Sequence, residues 1–434
     1  MQRHCTPNHV PPRTPPASLM QLLVNLLLFV TELDGVVVRR TWELLIQASV
    51  ERRSLEHVVR HAPGSPSPTA VRKAVATVLL RFSLPLWEDR LNEALRQRWL
   101  SLLLKQAQVS LVGDETSLPY WGRREGELKA EVRGGSPKLG TTWFFTYVTV
   151  CALWRGQRIV LGVTRWRAHE SLADALERLG APLLAAGLRV DTWLYDRGGA
   201  SVAAFGWWQD RNQPFIVAAP RRGDKTGVAA ILKAAEAEEG RSTRRPSPRG
   251  QWYTLHPDKR SGLAPRTVWL AIAWEPVKKT GRRERRQRGL KRSRVKAGQR
   301  WRAVAYFTDG GDWRGRGGAV QAKYRKRQSI ESSYRQSHAS RGRTCSRDPR
   351  LRLVLFGLSM LMENEWAWYR RGKARATRGG RRKKPAWRFI DYCQEVMEEG
   401  LVGLRDGVEG WWPGIRRLER LQLPTRLTAA GAGV

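Results

Sequence analysis

A chain of 434 residues, 41% hydrophobic and with 20 Trp, is long enough for two or three domains and too apolar for wholesale disorder. Its 78 Lys and Arg face 39 Asp and Glu, and the resulting charge of +39 points to a polyanion, nucleic acid ahead of an anionic membrane surface. Four cysteines (Cys5, Cys151, Cys345, Cys393) lie far apart without zinc spacing, which excludes a disulfide scaffold and implies a reducing, cytoplasmic compartment.

Residues 1–18 form a Pro-rich, basic leader expected to lack fixed structure. The apolar run 19–30 is too short to span a bilayer, and Thr31-Glu32-Leu33-Asp34 offers no cleavage site. A buried helix in a soluble protein without membrane partners is expected there. Residues 19–108 carry apolar positions at three- and four-residue spacing, the mark of a helical domain. Within it, two short helical patterns at 54–60 and 69–75 flank Gly64-Ser65-Pro66-Ser67-Pro68, a helix-turn-helix candidate. Arg72 and Lys73 on its second helix are the candidate DNA contacts; the same pattern also suits a plain packing hairpin.

From 109 the texture becomes α/β. Strands are predicted at 109–112, 143–153, 158–164, 190–195 and 214–219, with helices at 172–186 and 201–210. This makes a mixed sheet with helices over 109–220. Residues 221–318 read as a β-rich insertion: a short Ala-rich helix at 228–239, strands at 252–255, 266–274 and 301–308, and a basic loop at 278–300. Two helices follow over 319–369, then a basic linker (370–385) and a small helical tail (386–434).

Three acids stand out by position. Asp114 and Asp196 each end a predicted strand, at the sheet edge where open α/β folds place ligands. Glu331 sits in a polar helix otherwise crowded with cations. Carboxylates without histidine or thiolate suit two Mg²⁺ or Mn²⁺ ions, which can activate a water or a 3′-hydroxyl against a phosphodiester. Glu115 is expected to face away from Asp114 as a structural residue, and Asp309 to serve as a turn residue before Gly310-Gly311. His169 and His256 have no partner at ligand spacing.

These residues also carry a resemblance. The segment from Asp114 to Gly122, Asp-Glu-Thr-Ser-Leu-Pro-Tyr-Trp-Gly, resembles the first-aspartate motif of DDE transposases, and Tyr195-Asp196-Arg197-Gly198 resembles the second. Tyr324-x₂-Arg327-x₃-Glu331 is similar to the Y-x₂-R-x₃-E-x₆-K signature of the insertion sequence four superfamily, with His338 in place of its lysine. The resemblance implies an RNase H-like catalytic domain interrupted by the β-rich insertion, with Asp114, Asp196 and Glu331 as catalytic metal ligands. Tyr324 and Arg327 would hold DNA phosphates, and Arg335 or Arg341 would supply the cation that His338 does not. The basic loop, with Arg282, Arg283, Arg285 and Arg286, would clamp flanking phosphates. Trp252, Trp269, Trp274 and Trp301 lie in the insertion, where related transposases stack an aromatic on an extruded base. The implied function is an insertion-sequence transposase: prokaryotic, nucleoid-associated, binding the element's terminal inverted repeats and target DNA as a homodimer. It would cleave the ends and join the 3′-hydroxyl to target. A catalytically inactive DNA-binding derivative and an RNase H-like nuclease without strand transfer are the alternatives.

Overall fold

The computed structural model describes residues 35–61, 67–80, 82–259, 261–277, 300–311, 313–328, 340–376 and 389. In chain order the helices are α1 (Gly35–Val50), α2 (Leu55–His61), α3 (Pro68–Leu80), α4 (Leu84–Gln97), the single turns α5 (Leu100–Leu103) and α6 (Leu128–Glu131), α7 (Leu172–Ala185), α8 (Val202–Asp210), α9 (Val228–Glu239), α10 (Gly317–Arg325) and α11 (Pro349–Ala376). The strands are β1 (Val109–Tyr120), β2 (Val132–Lys138), β3 (Thr141–Trp154), β4 (Gln157–Arg165), β5 (Val190–Tyr195), β6 (Phe215–Ala218), β7 (Arg249–Leu255), β8 (Arg266–Pro276) and β9 (Trp301–Thr308). Among the described residues no helix is long and apolar enough to cross a membrane. The apolar run 19–30 lies outside them.

The chain divides into two compact units, Met1–Arg98 with Glu331–Val434, and Trp99–Ile330. In the first, α3 buries Ala70, Val71, Ala74, Val75, Val78 and Leu79, the stripe its sequence spacing predicts. Its opposite face leaves Arg72 and Lys73 exposed. The sequence groups 319–369 with the sheet, yet α11 packs on α1, α3 and α4. Asn364 donates to the Leu95 carbonyl at 3.2 Å, and Arg98 pairs with the nearly buried Glu365 at 2.8 Å. Gly357 sits against Leu91, where a Cβ would come within 2.9 Å of its side chain.

The second unit is built on one nine-stranded mixed sheet, in the order β2-β3-β1-β5-β6-β9-β8-β7, with β4 also pairing β3. β1, β3 and β4 form an antiparallel meander. The β3–β4 hairpin turns at Arg155 and Gly156, both at positive φ (49° and 73°), as a two-residue turn requires. The helices α7 and α8 then carry the chain over to β5 and β6, which run parallel to β1. A capping box, Ser171 with Asp174, starts α7, and Leu172, Leu176, Leu179 and Leu183 form its buried face. The chain leaves α7 through Gly187 at φ +85°. The core beneath α8 is aromatic: Trp193, Phe205, Trp208 and Phe215 are wholly buried. Truncating one such ring to alanine would cost about 3–5 kcal/mol. The strands of the 221–318 segment add to this same sheet, because β9 pairs antiparallel with β6 and carries β8 and β7 outward.

Candidate active site

The sheet changes character at Val112. Up to that residue β1 pairs with β5, the last partners being Val112 and Leu194. Beyond it β1 keeps its antiparallel partner β3 as far as Tyr120 opposite Trp143. Asp114 therefore lies within a strand rather than at its end. The strand continues because β3 satisfies the backbone of 114–120, and only the β5-facing edge is released. At that release Gly113 admits the fully buried Tyr195 ring, since a Cβ there would fall 2.2 Å from it.

Asp196 follows β5 directly and caps the short turn Arg197–Gly199, accepting the Gly198 N–H at 2.7 Å. The same glycine brings a second acid close. A Cβ on Gly198 would lie 2.9 Å from Asp196 Oδ1 and 3.1 Å from Glu115 Oε1, so both carboxylates approach one bare Cα. Glu115 does not stand apart as a structural residue; the room left by Gly198 lets it join the acids. The Asp-Glu doublet followed by Tyr-Asp-x-Gly in the second segment was the available signal.

Arg327 completes the group from the short 3₁₀ turn after α10. Its Nη2 donates to Asp114 Oδ1 at 2.9 Å and lies 3.9 Å from Asp196 Oδ2. The arginine and aspartate side chains are only 8% and 12% exposed. Arg327 also hydrogen-bonds the Tyr324 hydroxyl, and burial raises the pKa of that phenol. Tyr324 in turn packs on the Tyr306 ring at 4.9 Å. Upstream, α10 is fixed at two places. Lys323 pairs with Asp191, which also accepts from Ser110 Oγ at 2.8 Å. Buried Gln321 accepts from Arg245 at 3.0 Å and donates to Glu275 at 3.1 Å.

Three carboxylates gather near the Arg327 guanidinium, and Arg133 also acts on Glu115. Burial, and then the charge of Asp196, push Asp114 up to about 6 against the pull of Arg327. Burial followed by repulsion from Asp196 and Asp114 pushes Glu115 up to about 7, with Arg133 and Arg327 opposing. In both acids burial outweighs the pull of the neighbouring guanidiniums. The all-oxygen donor set of the acids is the kind that hard divalent ions take. Among the described residues, no group of three or more His, Cys, Asp and Glu side chains could hold a metal ion.

The structure thus brings together Asp114, Asp196, Tyr324 and Arg327, from three distant segments. Glu331, Arg335 and His338 lie outside the described residues, as do Arg282, Arg283, Arg285 and Arg286 of the basic loop. Arg72 and Lys73 sit on the exposed face of α3, in the other unit. His169 and His256 are exposed. Of the four tryptophans at 252–301, Trp252 is 47% exposed, with Arg314 4.6 Å above its ring, and Trp274 is buried.

No protein-family model matches the chain, and no curated protein matches it. Among solved structures it is similar to one described as a cryo-EM structure of the piggyBac transposase synaptic complex with hairpin DNA. The identity is 10% and the TM-score 0.49, over 96% of this chain and 87% of that one. A likeness this faint assigns no family.

Proposed function

We propose that the chain is a DNA transposase of the DDE type, acting on phosphodiesters at the ends of an insertion sequence and joining the freed 3′-hydroxyl to target DNA. The observation that carries this reading is the Arg327 guanidinium, buried between Asp114 and Asp196. It belongs to the Tyr-x₂-Arg-x₃-Glu signature, and it reaches both motif aspartates although 213 positions separate it from the first. The mixed sheet supports an RNase H-like catalytic domain, with the acids gathered where the parallel pair β1–β5 separates.

Asp114 and Asp196 would hold a divalent ion, with Glu331 as the third expected ligand and Glu115 beside them. Once bound, one or two Mg²⁺ or Mn²⁺ ions supply Lewis-acid stabilisation and an activated oxygen nucleophile. Arg327 and Tyr324 would then face a phosphate: a guanidinium binds two oxygens at once, and a phenol held protonated donates a hydrogen bond. The exposed Arg72 and Lys73 of α3 would serve DNA binding, and a dimer on the paired ends is part of the same reading.

The test is cleavage of DNA carrying the ends that flank the reading frame, with Mg²⁺ and with chelator. Asp196→Asn is expected to reduce cleavage to background while DNA binding persists. Near-normal cleavage by that variant, or by the wild type in chelator, would overturn the assignment.

A further inference from the structure

Among the described residues, three of the large apolar side chains that stand exposed belong to the far end of the β1–β3 ribbon and its adjoining turn. Trp121 is 66% exposed, Leu139 71% and Trp143 37%. They are a built surface. The Trp121 indole N–H donates to the Leu139 carbonyl at 3.0 Å, which fixes its ring in the open. Trp143 stands opposite Tyr120 in the ladder, and the Arg124 guanidinium lies 4.0 Å above its ring. Gly134 makes room for the Trp143 ring, since a Cβ there would come within 3.2 Å of it, and Gly140 turns the chain beside Trp121 at φ +79°. Arg123 and Lys138 are exposed close by in sequence.

We infer that this patch is a binding site for unpaired DNA, with the Trp121 ring stacking on a base and Arg123, Arg124 and Lys138 meeting the backbone. The occupant follows from the chemistry. The exposed Trp121 indole, with cations close by in sequence, fits a π-surface carrying negative charge, and a single strand offers both. A duplex hides its base faces, and a neutral protein partner would have no use for the flanking charge. The inference rests on the DNA-processing reading above. Trp121 lies seven residues past Asp114, roughly 23 Å along an extended strand, so the patch would meet DNA away from the acids.

The experiment measures binding of the full chain to an oligothymidylate of about 20 nucleotides and to a random duplex of equal length. Trp121→Ala is expected to weaken oligothymidylate binding about tenfold, the loss of one stacked base, while Trp121→Phe keeps most of it. Duplex affinity, cleavage and the unfolding midpoint should stay at wild-type values in both. Unchanged oligothymidylate affinity in Trp121→Ala would overturn the inference. So would a change in sedimentation on removing the ring, which would make the patch a self-association face. A wild type that bound neither DNA would instead sink the proposed function.

Discussion

At Glu170 hydrogen bonds from two arginines outweigh burial; at Asp114 and Glu115 burial outweighs the guanidiniums nearby. Arg178 grips Glu170 at 2.7 and 2.9 Å while also donating to Thr164 Oγ1 and the Arg165 carbonyl. Arg167 adds side-chain and backbone donors at 2.7 and 2.9 Å. Burial raises the pKa of Glu170, but the hydrogen bonds from Arg178 and Arg167 outweigh it and bring the group down to about 2. At Asp114 and Glu115 burial wins, and repulsion adds to it. Both regions place charge inside one unit. Only in the second are the acids held above their ordinary pKa. Carboxyls raised in this way cluster at functional sites, which is the reading proposed above.

The largest expected effect is at the first region. Glu170→Gln should lower the unfolding free energy by about 2–3 kcal/mol, because two arginines lose their counter-charge. Denaturant titration measures this, and Mg²⁺ should restore nothing. Arg327→Met should cost less, about 1–2 kcal/mol, because the acids it leaves can take up protons. Here added Mg²⁺ should recover part of the loss, and a thermal shift equal in the two variants would erase the distinction. Next, Glu115→Gln should stabilise the metal-free protein at pH 8 by on the order of 1 kcal/mol, since an acid with a raised pKa costs stability when ionised. A destabilised variant would place Glu115 among structural ion pairs.

The pH dependence should run in opposite directions. The Glu170 pKa is lower in the folded chain, so its contribution is present above about 4.5 and fades as pH falls toward 2. The gap between wild type and Glu170→Gln should close over that window. The Glu115 pKa is higher in the folded chain, so its penalty is absent below about 4.5 and grows as pH rises through about 7. The advantage of Glu115→Gln should therefore open between pH 5 and 8.

How much of this the sequence disclosed depended on the range of the interaction. The α7 stripe and its cap, the two-residue turn at Arg155-Gly156 and the Ala-rich α9 are local, and spacing alone places them. Asp114 and Asp196 were legible as acids beside apolar runs, and Arg327 through its spacing from Tyr324. The continuation of β1 was not. The predicted strand stops at Val112, and the distant β3 is what holds Thr116, Ser117 and Pro119 extended. The approach of the Glu115 carboxylate to Asp196 is not legible for a related reason: it depends on a missing Cβ more than eighty positions away. The attachment of β9 to β6 and the packing of α11 on α4 likewise join segments that no periodicity connects.

The discontinuous first unit has a consequence for biogenesis. Its leading helices leave the ribosome long before α11, which starts at Pro349, some 250 positions after α4 ends at Gln97. At 5–20 residues per second, that interval is roughly 13–50 s. Meanwhile Leu91 lacks Gly357 and Leu95 lacks Asn364, so an apolar helical surface stays uncovered while the whole sheet is synthesised. Completion of the first unit therefore waits on a helix translated after the whole sheet.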